Sequence, residues 1–242
     1  MVLVLTMAGL YSRFQNEGFK FPKYLLPWGE RTILSRILLE MTKGQSFSDI
    51  FLVGNVRDEN YVPHIHATLR SHRVEPRNLV LIKDTKGQAE TASLGLAHVL
   101  KTKPDCRAPI VFHNIDTILY GRDYTQIATC LKHNDGFIDV FSSNNHAYSY
   151  VLADESGVIK EVAEKTVISN IATSGLYGFA TPSTYIDHYQ PADIYITAVY
   201  KRMLSQGCKV LAGPKHSEDD TVVLGTPAEY INSSMTVAQE RF

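Results

Sequence analysis

The chain has 242 residues, of which 44% are hydrophobic, enough to fill the core of one α/β domain. Its formal net charge is −1, with Lys, Arg, Asp and Glu spread along the chain, which excludes the basic stripe or tail of a sequence-independent nucleic-acid binder. No apolar run is long enough to cross a bilayer, so the expected partners are small molecules or another protein chain, with a homodimer left open.

The elements are read in chain order. Met1 to Met7 is apolar but lacks a basic leader and runs into Gly, Ser and Arg, so Val2–Leu5 is expected to be a core strand and not a signal peptide. Strand-like and helix-like segments then alternate: a helix over Ile33–Met41, a strand at Ile50–Gly54, a weaker helix near Val62–Ser71 and a strand at Leu79–Ile82. A helix from Glu90 to Leu100, a strand at Ile110–His113, a helix over Tyr124–His133 and a strand at Phe137–Ser142 follow. Strands rich in Val, Ile and Leu with helices between them imply a parallel sheet covered on both faces. Ligands of such sheets bind beyond the carboxyl ends of the strands.

After Ser143 the pattern changes. Tyr148–Leu152 and Val158–Val162 flank Asp154-Glu155-Ser156-Gly157 and read as a hairpin. Ala172–Ala180 reads as a strand, Ile194–Ser205 as an amphipathic helix, and Val210–Ala212 and Thr221–Leu224 as closing strands. No repeat, low-complexity tract or linker interrupts the chain. Residues 1–242 are therefore expected to form a single domain whose pattern changes between 1–143 and 144–242.

Three cysteines, Cys106, Cys130 and Cys208, are odd in number and widely spaced, which suits reduced thiols in a cytoplasmic protein and no zinc site. His64 and His66 alternate without a third ligand nearby and are expected on a surface strand or loop. Tyr185, Tyr189, Tyr195 and Tyr200 are read as exposed, suiting an interface or an acceptor pocket equally.

The chemistry is concentrated near the N-terminus. A buried strand emptying into Ala8-Gly9-Leu10-Tyr11-Ser12 exposes backbone N–H groups, and Arg13 and Lys23 add two cations where an anion can sit. Neither the P-loop spacing nor Gly-x-Gly-x-x-Gly follows, so a polyphosphate is held in another way. Pro22 before Lys23, amid Phe14, Phe19 and Phe21, argues against a casual surface loop. Asp116 follows an apolar strand, where a hard oxygen ligand for Mg²⁺ is useful.

Ala8-Gly9-x-x-Ser12-Arg13-Phe14 with Pro22-Lys23-x-Leu25, then Asn114-x-Asp116, Glu164-Lys165, Ile168-Ser169, Ala172, Gly175-x-Tyr177 and Gly225-Thr226-Pro227 stand in order along nearly the whole chain. Together they resemble the sugar-phosphate nucleotidyltransferases, above all the short bacterial branch that makes nucleotide-activated precursors of capsule and lipopolysaccharide. The resemblance implies a three-layer α/β/α Rossmann-like fold with a mixed, mainly parallel sheet, in which 1–143 is the nucleotide-binding half and 144–242 the acceptor-binding lobe. It implies a reaction of a nucleoside triphosphate with a sugar 1-phosphate, giving a nucleotide sugar and pyrophosphate, with Mg²⁺ on Asp116.

By the same resemblance Ala8, Gly9 and Leu10 meet the triphosphate and base, Arg13 the leaving pyrophosphate, and Lys23 the α-phosphate. Gly87 and Gln88 border the base, Asn114 belongs to the nucleotide site, and Glu164, Lys165 and Gly175 hold the acceptor. This chain departs from the pattern at three places. Tyr11 stands where a second Gly is usual; Val222-Val223-Leu224 replace a second metal-binding Asp, leaving Asp219 or Asp220 as substitutes; and Tyr195 stands where hexose-specific relatives carry a Glu. The last favours a heptose phosphate or a non-sugar phosphate such as phosphocholine, and a cytidylyltransferase of that kind stays open. So does a glycosyltransferase of the same general fold, although Lys23 has no clear use in one.

Overall fold

The structure, a computed structural model, describes residues 1–239. In chain order its elements are β1 (Val2–Thr6), α1 (Ser12–Asn16), β2 (Pro27–Trp28), β3 (Arg31–Thr32), α2 (Ile33–Thr42), β4 (Asp49–Asn55), α3 (Val62–Ser71), β5 (Leu79–Ile82), α4 (Gln88–Thr102) and β6 (Ile110–Asn114). They continue with β7 (Thr117–Leu119), α5 (Tyr124–Leu131), β8 (Gly136–Ser142), β9 (Tyr150–Ala153), β10 (Ile159–Ala163), β11 (Ile171–Phe179), α6 (Pro182–His188), α7 (Ile196–Ser205), β12 (Val210–His216), β13 (Thr221–Val223) and α8 (Pro227–Gln239).

Burial of β1 on both faces explains its unbroken apolar run. Its side chains alternate: Leu3 and Leu5 join the core beneath α2, α3 and α5, whereas Val2 and Val4 join the core beneath α4 and α7. The strand lies between β4 and β6, parallel to both, and β4 pairs in parallel with β5. Helix ends follow from local chemistry. Thr32 caps α2 by accepting from the Ser35 N–H at 3.2 Å, and Asp123 caps α5 by accepting from Thr125 and Gln126.

Beyond β6 the sheet changes direction. β11 is antiparallel to β6 and to β8, β8 is parallel to β12, and β9 and β10 form the antiparallel hairpin expected from the Asp154–Gly157 turn. The Asp154 carboxylate accepts from the N–H groups of Ser156 and Val158 and closes that turn. Both halves of the chain thus feed one nine-stranded mixed sheet.

Most elements stand within two residues of expectation. β12 does not: Gly213-Pro214 marks a register shift after Ala212, not a strand end, and pairing with β8 resumes at Lys215. α1, the β2–β3 hairpin, β7, α6 and α8 were not anticipated, being short, or polar enough to lack a clear period. His64 and His66 lie on α3 and not on a strand or loop. Tyr185 and Tyr200 are core residues, 1% and 0% exposed, and not surface aromatics. Their hydroxyls, which the sequence pattern cannot show as partnered, donate to the Ala89 carbonyl and to those of Phe137 and Gly178. Cys106, Cys130 and Cys208 are free thiols. No helix among the described residues is long and apolar enough to cross a membrane.

β7 and β13 form a separate two-stranded ribbon. The buried Arg122 holds it to the main sheet: its guanidinium pairs with Asp139 on β8 at 3.1 Å and donates to the carbonyls of Tyr120 and Asp220 and to Thr221 Oγ1. At the ribbon's other end the Leu224 N–H donates to the Asp116 carbonyl at 2.7 Å, which sets the segment after β13 against the end of β6.

His113 on β6 is fully buried and meets the Thr117 carbonyl at 2.8 Å through Nε2. A carbonyl only accepts, so Nε2 carries a proton. Burial pushes its pKa from 6.5 down to about 4. The unfolded chain then binds a proton at higher pH than the folded one, and stability is expected to fall as pH drops from 6.5 towards 4. Melting temperatures across that window should show a shallower slope for His113→Gln, which keeps a donor and cannot titrate; an unchanged slope would exclude this source.

Candidate active site

A cleft of about 740 Å³ opens at the carboxyl ends of β1 and β6, where parallel strands expose unpaired backbone and the chain must turn away. β1 ends at Thr6, whose hydroxyl donates to the His113 carbonyl at 3.2 Å. The next residues bend outward: Ala8 is buried, whereas Gly9 and Leu10 are exposed and line the cleft with Arg13. Lys23 reaches the cleft from a single 3-10 turn, Lys23–Leu25, that follows Pro22.

Lys23 Nζ and Asp116 Oδ2 form an ion pair at 2.8 Å, with the side chains 14% and 31% exposed. Burial alone would raise the Asp116 carboxyl, but the charge and hydrogen bond of Lys23 outweigh it and hold the pKa below the usual value. Two groups 93 residues apart thus meet because β1 and β6 are neighbours.

The floor of the cleft is built on Asn114. Its Oδ1 accepts from Gln88 Nε2 at 2.6 Å and from Thr6 Oγ1 at 3.3 Å, while Gln88 Oε1 accepts from the Ile196 N–H at 3.2 Å. Gly175, with φ 90, sits against this amide: a Cβ there would lie 2.9 Å from Asn114 Nδ2. Gly87 lines the cleft, yet its bare face is turned to the backbone of Ile194, into which a Cβ would run. The close approach that demands glycine at 87 is therefore to the protein's own chain and not to a ligand ring. The Ala89 N–H donates to the same Ile194 carbonyl at 3.0 Å.

The far wall carries Glu164 and Lys165. Glu164 Oε2 accepts from Ser149 Oγ at 2.6 Å and from Thr197 Oγ1 at 2.9 Å, so the carboxylate joins β9's approach to the first turn of α7. Lys165, at φ 52, donates to the Tyr195 hydroxyl at 3.0 Å and lies 5.1 Å from that ring's centroid. The hydrogen bond to Tyr195 raises the pKa of Lys165, and the charge of Arg13 opposes the rise. Arg13, Lys23 and Lys165 all line the one cleft.

Among the described residues, neither Asp219 nor Asp220 lines it. Asp220 accepts from Ser217 Oγ, and its carbonyl is held by Arg122 at the end of the β7–β13 ribbon remote from Asp116. The carboxylate that does approach Asp116 belongs to Glu229 on α8. A Cβ on Gly225 would stand 3.4 Å from Glu229 Oε2 and 3.9 Å from Asp116 Oδ2. Glu229 also accepts from the N–H and hydroxyl of Thr226. The pattern Thr226-x-x-Glu229 is a capping box and was the available signal for this helix start. Ser149, Tyr148 and Asp84 line the cleft as well, but no spacing in the sequence marks them.

The chain superposes over nearly its whole length on solved structures. One is a nucleoside-diphosphate-sugar pyrophosphorylase from Vibrio cholerae RC9, with a TM-score of 0.83 and 22% identity over 97% of this chain and 100% of that one. A UDP-glucose pyrophosphorylase complexed with UDP-glucose gives 0.75 at 18% identity, over 99% of this chain and 98% of that one. The inositol-1-phosphate CTP transferase from T. maritima gives 0.71 at 15% identity, over 99% and 96%. At these identities the likeness establishes the fold, the mixed and mainly parallel Rossmann-like fold that these nucleotidyltransferases share. No family model and no curated protein sequence matches the chain.

Gly175→Ala places a methyl group against Asn114 at a left-handed backbone position. It is expected to destabilise the fold by about 1–3 kcal/mol in urea unfolding. A neutral result would mean that Asn114 moves without resistance, contrary to its hydrogen bonds from Gln88 and Thr6.

Proposed function

We propose that the protein is a nucleotidyltransferase that joins a nucleoside monophosphate unit from a nucleoside triphosphate to a small phosphorylated acceptor. A phosphate oxygen of the acceptor attacks the α-phosphorus, the bond to the bridging oxygen of the β-phosphate breaks, and pyrophosphate leaves with that electron pair. The observation that carries this reading is the meeting of Lys23, Arg13 and Lys165 in one cleft at the carboxyl ends of β1 and β6, with Asp116 held ionised by Lys23. Phosphoryl transfer needs positioning and charge stabilisation more than covalent help.

In this reading the loop Ala8–Leu10 presents backbone to the nucleotide, Arg13 offsets the charge developing on pyrophosphate, and Lys23 turns from Asp116 to the α-phosphate. Glu164 and Lys165 face the acceptor, Lys165 towards its phosphate. Gln88, Asn114, Gly87 and Gly175 shape the cleft between them. The donor set also suits Mg²⁺. No cluster of three or more His, Cys, Asp or Glu able to hold a metal is found among the described residues. Asp116, with Glu229 across Gly225, offers the one or two carboxylates by which Mg²⁺ is held jointly with substrate phosphates. Bound there, the ion would supply charge stabilisation to those phosphates.

The acceptor we favour is a sugar 1-phosphate, which would make the product a nucleotide-activated precursor of a cell-surface glycan such as capsule or lipopolysaccharide, formed in the cytoplasm. The test is pyrophosphate release with Mg²⁺, crossing CTP, UTP, GTP, dTTP and ATP with sugar 1-phosphates, inositol 1-phosphate and phosphocholine. Release requiring one base and one acceptor is expected. Lys23→Ala should lower it by about 100-fold or more while the circular dichroism spectrum stays unchanged. Full activity in that variant would sink the role given to Lys23, and nucleotide-sugar binding without any release would favour a glycosyltransferase.

A further inference from the structure

Asp58 lies outside the cleft, in the 3-10 turn Val56–Tyr61 that follows β4, and is 0% exposed. Its two oxygens are divided between two tyrosines. Tyr11 OH donates to Oδ1 at 2.6 Å, and Tyr24 OH donates to Oδ2 at 2.9 Å. Tyr11 stands two residues before Arg13, and Tyr24 is the residue after Lys23. One buried carboxylate therefore ties together the two separate segments that carry these cations.

The backbone shows that the tie is under tension. Tyr11 has φ 37 and ψ 28, the left-handed region, which a bulky residue without a glycine's freedom occupies only when its surroundings hold it there. From that position its carbonyl accepts from the N–H groups of Phe14 and Gln15 and starts α1, placing Arg13 in the first turn. On the other side, Tyr24 occupies the middle of the turn Lys23–Leu25 and is fully buried. Hydroxyl-to-carboxylate hydrogen bonds are among the stronger ones available to offset such strain. Burial and the neighbouring Asp58 raise both tyrosines well above their ordinary pKa, so both keep the protons they donate.

We propose that Asp58 is a positioning residue: through Tyr11 and Tyr24 it fixes Arg13 and Lys23 relative to one another, so that both cations are set for one polyphosphate before it arrives. The proposal rests on the nucleotidyltransferase reading for the identity of the ligand, and on the geometry alone for the tie. Its signature is coupling across the shared carboxylate.

Tyr11→Phe, Tyr24→Phe and the double variant keep both rings and remove only hydroxyls. Hydrogen exchange of residues 9–16 and 22–26 is expected to quicken in both segments when either tyrosine alone is changed. The affinity for the nucleoside triphosphate by calorimetry, and its KM, should weaken about tenfold or more in each single variant. The double variant should be little worse than either, because the second hydroxyl has lost its purpose once the first is gone. Loosening confined to the altered segment, or strictly multiplicative effects, would overturn the proposal. If the unaltered protein binds no nucleoside triphosphate, the functional reading fails, and the exchange data still decide the tie.

Discussion

The bend in β11 is the constraint on which the site depends. The first residues of this strand pair with β8 and β9, the last with β8 and β6, and the register breaks between Thr173 and Tyr177. One strand cannot follow both neighbours without diverging from one of them, so the sheet parts between the end of β6 and the start of β9. Gly175 supplies the left-handed turn of the backbone that makes this fork possible, and its missing Cβ leaves room for Asn114. Asn114, joined to Thr6 and Gln88, then closes the base of the fork into a floor. The cleft is thus the space left by a sheet that divides.

Hydrogen bonds sew the two banks of the fork together. Gln88, at the start of α4, bonds both Asn114 on β6 and the Ile196 backbone at the start of α7. Glu164, just past β10, bonds Ser149 before β9 and Thr197 on α7. The first turn of α7 therefore touches both banks of the fork. The Lys23–Asp116 pair belongs to the same design but differs in kind. It is partly exposed, so its contribution to stability is small after screening by solvent; its effect is to hold the Asp116 carboxyl ionised and in register with the lysine.

The first half of the sheet was legible in the sequence, because strands buried on both faces read as unbroken Val, Ile and Leu. So was the convergence of Arg13 and Asp116, since each follows a strand and parallel strands gather their carboxyl ends along one edge; Lys23, which comes after α1, joined them only through the motif order. What was hidden has physical reasons. The antiparallel entry of β11 between β6 and β8 depends on long-range pairing that no local pattern encodes. Tyr185 and Tyr200 looked exposed because a tyrosine's polar tip does not reveal whether a carbonyl waits for it in the core. Gly87 borders the base by resemblance, but the space its missing Cβ leaves is filled by Ile194. Asp219 and Asp220 lay close in sequence to the expected metal position, but the β13–β7 pairing carries them to the opposite end of the ribbon and brings Glu229 forward instead.

The walls of the cleft hold Arg13, Lys23, Lys86 and Lys165 and also Asp84, Asp116, Glu164 and Glu229. With four positive and four negative side chains, the cavity is electrically balanced when empty. A polyanion entering it gains local contacts with individual cations but finds no surplus of positive charge to neutralise it as a whole. On the proposed reading, a divalent cation chelated to the nucleotide would bring the positive charge that the walls do not hold in surplus.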